Sequence, residues 1–146
     1  MQKIGKVLKL FESHSGKSER VEQVKLELDR NGVLNDKFYA KDRERSVLIS
    51  SIDSYKLANK HNIEIAYGEL GENIVVDFNP YNFPSKSKIQ IGEVILEITQ
   101  HCTLCKSLAK VDSQLPKVLK DDRGVFAKVI KSGSITKDSQ VIYGEV

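Results

Sequence analysis

Lys88-Ile89-Gln90-Ile91-Gly92-Glu93-Val94-Ile95-Leu96-Glu97-Ile98-Thr99-Gln100 reads as two strands, KIQI and VILEITQ, joined near Gly92-Glu93 by a tight hairpin. Its β-branched and apolar residues suit a pleated, half-buried surface. Working outward, the same two-residue period recurs. Ile4–Phe11 opens as a strand-like run, VEQVKLELD alternates in part up to the turn pair Asn31-Gly32, and RSVLISS from Arg45 is short and apolar. Ile74–Phe78 follows a loop with two glycines, and NPYNFPSKS reads as a surface loop. GVFAKVIK sets Val125, Ala127 and Val129 against Phe126, Lys128 and Ile130. Gly133 starts a last turn, and Val141-Ile142-Tyr143 is a closing strand. The helical period is rare: Asp53–His61, with Asp53 as N-cap, and a short helix over Cys102–Val111. About seven or eight strands with two or three short helices predict a mainly β barrel or sandwich, because no long helices separate the strands.

The 146 residues predict a single domain, 1–146, large enough for a core without disulfide staples. Hydrophobic residues at 40% and charged residues at 29% fit a globular chain rather than a disordered one. Neither a membrane-spanning stretch nor a signal peptide is legible, so a soluble cytoplasmic protein is the expectation. The net charge of +3 is too small to point to nucleic acid, and the lysines are scattered without an aromatic platform. Their expected place is on solvated faces and strand edges, with at most a weak pull on anionic small molecules and phosphate esters.

Chemistry concentrates in His101-Cys102-Thr103-Leu104-Cys105, which holds both cysteines of the chain. A disulfide across so short a loop would stabilise little. Four readings stay open: a redox pair at a helix N-terminus, half of a zinc site, one nucleophilic or sulfur-carrying thiol, or two buried small hydrophobes. The zinc reading lacks a second pair of ligands at the right spacing, and the redox reading lacks the βαβ units of a thioredoxin-like chain. Arg45 precedes an apolar strand, where it is either solvated or placed to bind a phosphate or carboxylate through both arms of its guanidinium. Glu72 and Asn73 follow Gly68 and Gly71 and open a strand, which suits turn chemistry or a site rim. No phosphate-binding loop, nucleophile elbow or clustered carboxylate pair is present, so phosphoryl transfer, serine hydrolysis and glycoside hydrolysis lack support.

Taken in order, several segments resemble the MOSC domain, named for the C-terminal part of molybdenum cofactor sulfurases. They are Gly32–Ala40 with Arg45–Ile49, Gly68–Ile74 with its Gly-Glu-Asn turn, Ile91–Gln100, Cys105, and Gly124–Val129. The resemblance covers the whole chain and implies a MOSC-type β-barrel that binds the molybdenum cofactor (molybdopterin), a pterin dithiolene carrying a phosphate. It also implies that some members handle sulfur for the cofactor through a cysteine. On that basis Cys105 is the metal- or sulfur-binding thiolate, Arg45 with Lys106 or Lys128 neutralises the phosphate, and Glu72 and Asn73 shape the rim by hydrogen bonds. His101, Lys106 and a helix N-terminus are the means of lowering the thiol pKa.

Two departures qualify the resemblance. Asn35-Asp36-Lys37-Phe38 stands where many members have Gly-Asp-x-His, and Cys102 is additional to the broad pattern. Pyridoxal phosphate belongs to the family only through a separate sulfur-mobilising domain, which is absent, so this chain is not a complete desulfurase. The expected function is a cofactor-binding, sulfur-carrier or cofactor-handling accessory role. Its partners would be the molybdenum cofactor or the proteins that make or accept it, with no nucleic acid and no membrane. The rivals are a small redox or zinc module using Cys102 and Cys105, and a non-catalytic interaction domain.

Overall fold

Alternating apolar side chains sort each strand into an inner and an outer face, and that sorting builds the barrel. The structure is a computed structural model that describes residues 2–16, 20–103 and 106–144, with backbone alone at 106 and 107. Its strands are β1 (Gln2–Ser13), β2 (Arg20–Gln23), β3 (Lys25–Asp29), β4 (Gly32–Val33), β5 (Val47–Ser51) and β6 (Ile74–Val76). They continue with β7 (Lys88–Ile91), β8 (Val94–His101), β9 (Val125–Lys131), β10 (Gly133–Thr136) and β11 (Gln140–Tyr143). Seven of them run β11-β7-β8-β9-β5-β6-β1 and close into a barrel because β1 pairs back with β11. Closure removes the exposed edges that such a sheet would otherwise present. β2 continues outward from β1 as an extra strand, and β10-β3-β4 form a separate small sheet.

The inner face carries Val47 and Ile49 from β5, Ile74 and Val76 from β6, Leu96 and Ile98 from β8, and Ala127 and Val129 from β9. Leu26, Leu28, Val33 and Ile135 of the small sheet join the same core. β1 turns from β11 to β6 through two breaks in register, Lys3/Gly5 and Val7/Lys9. Only glycine fits at the first break: a Cβ on Gly5 would lie 2.3 Å from Asp77 Oδ1.

On the outer face, Phe11 and Val75 pack under α1 (Ile52–Lys60), α2 (Lys106–Val111) and α3 (Leu115–Val118) in a second cluster with Tyr55, Leu70 and Leu108. α1 is the crossover that lets β5 and β6 pair in parallel. Its N-cap is Ser51 rather than Asp53. Ser51 is still extended and its hydroxyl accepts from the Asp53 N–H, whereas Asp53 already lies inside the helix.

The hairpin Lys88–Gln100 stands as expected, with Ile91 paired to Val94. Gly133 opens β10 rather than a turn, because its backbone pairs with Leu28 of β3. The Cys102–Val111 helix is shorter than its expected span: Cys102 is still tied to the barrel through its N–H to Gly124 O at 2.9 Å, and α2 starts at Lys106.

Candidate functional site

The outer faces of β5 and β9, the loop before β5, the 66–71 loop and α2 enclose a cavity of about 910 Å³. Among the described residues, six basic side chains line it (Arg20, Lys37, Lys41, Arg45, Lys110 and Arg123) against two acidic ones, Asp42 and Glu69. Both carboxylates are bound to local backbone: Asp42 Oδ1 accepts from the Glu44 N–H at 3.0 Å and Glu69 Oε2 from the Ala66 N–H at 2.6 Å. The excess of cations over low-dielectric walls makes the cavity attractive to anions. Phe38, Tyr67 and Phe126 supply flat apolar surface.

Arg45 is exposed on the lining, its guanidinium 5.9 Å from the Phe126 ring centroid. With the Gln100 amide oxygen turned toward it, Arg45 donates through Nε and Nη2, both at 3.1 Å. Gln100 is thereby the residue that aims the guanidinium.

Asn73 also lines the cavity, but its side chain ties structure together. Its Oδ1 accepts from the Leu48 N–H at 3.1 Å, and its Nδ2 donates to Phe11 O at 3.2 Å and Asp36 Oδ1 at 3.3 Å. Glu72 lies beneath the floor and is fully buried. It accepts from Ser50 Oγ at 2.5 Å and from Tyr55 OH, while Tyr55 OH accepts from the Gly68 N–H at 3.2 Å. Glu72 therefore anchors the 66–71 loop through Tyr55. Burial raises its carboxyl above the ordinary value, against the hydrogen bonds from Ser50 and Tyr55 and the charge of Arg20. The same burial, with the neighbouring carboxylate of Glu72, raises the Tyr55 phenol.

Cys102 lines the cavity and is 3% exposed, packed with Leu48 and Phe126. His101, the last residue of β8, is exposed, and its ring lies 6.3 Å from that of Tyr81. Cys105 lies outside the described residues, as does the side chain of Lys106. In sequence Cys105 falls between Cys102 and Lys110, which both line the cavity. Among the described residues, no three His, Cys, Asp or Glu side chains form a group able to hold a metal ion.

Lys128 is not on the lining. Its Nζ lies 3.3 Å from both Glu97 and Glu44 on the outer surface. The reason is register: Lys128 sits directly opposite Glu97 in the β8–β9 ladder, one step along the face from Phe126, which does reach the cavity.

Two cavity arginines had no place in the sequence reading, Arg20 and Arg123. Arg123 stands just before Gly124 and an apolar strand, the same signal that singled out Arg45. Arg20 heads β2 with no such signal. Burial depresses its guanidinium, opposed by the charges of Asp36 and Glu72.

A closed β-barrel with a large cationic cavity, Cys102 in its wall, defines a small barrel protein with an anion-attracting site. More particularly, the chain belongs to the MOSC domain family, which matches residues 13–142. Its fold is similar to that of the YuaD protein from Bacillus subtilis, at 17% identity over 99% of each chain and a TM-score of 0.84. YiiM from Geobacillus stearothermophilus matches at 12% identity over 99% of this chain and 75% of that one, with a TM-score of 0.71. YiiM from Escherichia coli matches at 18% identity over 94% and 70%, with a TM-score of 0.68. At these identities the likeness is one of fold. No curated protein sequence matches the chain. Among the described residues, no helix is long and apolar enough to cross a membrane.

Proposed function

We propose that this MOSC domain protein binds the molybdenum cofactor in the cavity and handles it, or sulfur for it, through the thiolate of Cys105. The observation that carries this reading is the cavity: among the described residues six cations line it against two carboxylates, with Cys102 in its wall and Cys105 three residues further on in sequence. The cofactor is an anionic, phosphate-bearing flat ring system, and cations with Phe38, Tyr67 and Phe126 suit that chemistry. The volume falls within the roughly 300–1,000 Å³ of small-molecule sites. When bound, the cofactor would supply a redox-active metal centre.

The chain's own residues do the holding. Arg45, aimed by Gln100, and Lys106 offset negative charge. Asn73 fixes the ends of β1 and β5 against the Asp36 loop, and Glu72 fixes the 66–71 loop. Cys105 directly precedes α2 in sequence, beside Lys106, a setting that lowers a thiol pKa. Cys102, buried against Leu48 and Phe126, acts as a small hydrophobe in the wall, which makes the two thiols unequal. A cytoplasmic location, where thiols stay reduced, goes with this role, as do partner proteins that make or accept the cofactor.

The test is molybdenum and pterin content after purification from a cofactor-producing host. Wild type is expected to carry both, and Cys105→Ala about tenfold less, through loss of the thiolate ligand. Equal, near-zero content in the two proteins overturns the reading.

A further inference from the structure

We propose that Arg20 and Arg123 form a binding subsite for a tetrahedral dianion, the phosphate-monoester class, over the bare face of Gly71. Gly71 has φ +83°, and an atom at its missing Cβ position would lie 3.6 Å from Arg20 Nη2, 3.7 Å from Arg123 Nη2 and 4.0 Å from Arg20 Nε. Two guanidiniums from opposite ends of the chain thus converge on one spot of the cavity wall, which the absence of a side chain leaves open. Arg123 is 6% exposed and donates from Nη2 to Leu70 O at 3.1 Å, a bond that sets its fork beside Gly71.

Arg20 turns Nη2 and Nε toward Gly71, while its Nη1 is buried on the side of Asp36 with no hydrogen-bond partner among the described residues. The nearest carboxylate oxygen, Asp36 Oδ1, is 3.9 Å away. Asp36 is held elsewhere: Oδ1 accepts from the Ser13 N–H at 2.7 Å and from Asn73, and Oδ2 accepts from the Phe38 N–H at 3.1 Å. The Phe38 ring covers the Arg20 guanidinium at 5.8 Å. The charges of Asp36 and Glu72 offset part of the Arg20 charge from behind, and on the cavity side the planar guanidinium forks match phosphate oxygens. The inference rests on the cavity being the ligand site, as proposed above, and places the phosphate on this pair rather than on Arg45.

Calorimetric titration of inorganic phosphate and of phenyl phosphate into the full chain, purified from a host that makes no molybdenum cofactor, tests it. Both probes are expected to bind wild type. Arg20→Gln is expected to weaken them about tenfold, the worth of a charge-assisted contact. Should Arg20→Gln fail to fold, Arg20→Lys, which keeps the charge and loses the fork, is expected to weaken binding several-fold. No binding to wild type, or unchanged affinity in a folded Arg20 variant, overturns the subsite. The molybdenum-free host keeps the two proposals separable: Arg20-dependent phosphate binding with no molybdenum uptake in a producing host rejects the cofactor and keeps the subsite.

Discussion

Arg123 stands just before β9 and Lys128 lies within it, yet the two cations have opposite surroundings. Arg123 is buried on the cavity wall, with its guanidinium bound to Leu70 O. Lys128 is on the outer surface between Glu97 and Glu44. In β9 the odd positions Val125, Ala127 and Val129 enter the barrel core, so Phe126 and Lys128 share the outer face. Phe126 is close enough to the end of the strand to reach the cavity, and Lys128 falls against its cross-strand carboxylate instead. The contrast teaches that a cation's role here is set by register and burial, and not by nearness in sequence to a motif. Around Arg123 and Arg20 charges are desolvated, so partners must be matched; around Lys128 water does much of the matching.

The largest effect is expected where the buried side is broken outright. Glu72→Ala leaves the Ser50 and Tyr55 hydroxyls without their acceptor in a dry interior and frees the 66–71 loop. A loss of about 3 kcal/mol is expected from stranded polar groups and the space left behind. Urea denaturation checks it. A loss no larger than that of a surface substitution would mean that the network beneath the cavity is not what holds the floor.

A gentler change sharpens the same point. Burial raises the Glu72 carboxyl above its reference of 4.5, so the folded chain holds that proton more tightly than the unfolded chain. The sign follows from linkage: the stabilising contribution is complete below the unfolded value and is lost as pH rises through the folded one. Glu72→Gln keeps the shape and an acceptor while removing the titration. Across increasing pH above about 4.5, wild-type Tm is expected to fall relative to that of Glu72→Gln. Parallel Tm profiles for the two proteins would count against a buried, proton-holding Glu72.

The same contrast explains what could be read from the sequence. The hairpin at Gly92-Glu93 and the alternation of β9 were legible because one face of each strand is packed on a core and the other is not. β4 and α3 were not, since two residues of strand and four of helix carry no period. β10 was hidden because Gly133 reads as a turn residue and pairs only with a distant partner, Leu28.

Within the site, Arg45 and Asn73 could be singled out from local motifs, and the structure sets both on the cavity. Glu72 could be singled out too, but the structure sets it one layer below, where the fully buried side chain holds Tyr55. The Arg20–Arg123 pair exists only once the barrel closes. Arg20 heads β2 and Arg123 precedes β9, far apart in sequence, and no local pattern announces that the two guanidiniums converge on Gly71.

The smallest effect is expected on the exposed side, at Lys128→Gln. The lysine is half-buried and faces exposed Glu44 and half-buried Glu97, each at 3.3 Å, so removing its charge leaves both carboxylates with some access to water rather than stranded. Tm is expected to stay within measurement error, and raising the salt concentration is expected to narrow even that difference, since exposed pairs are screened. Phosphate titration of Lys128→Gln is expected to match wild type, because the charge is already balanced locally and does not face the cavity. An affinity loss comparable to that of Arg20→Gln would show that the summed positive field of the surface, rather than the buried pair, attracts the anion. Burial and register would then no longer separate Arg123 from Lys128.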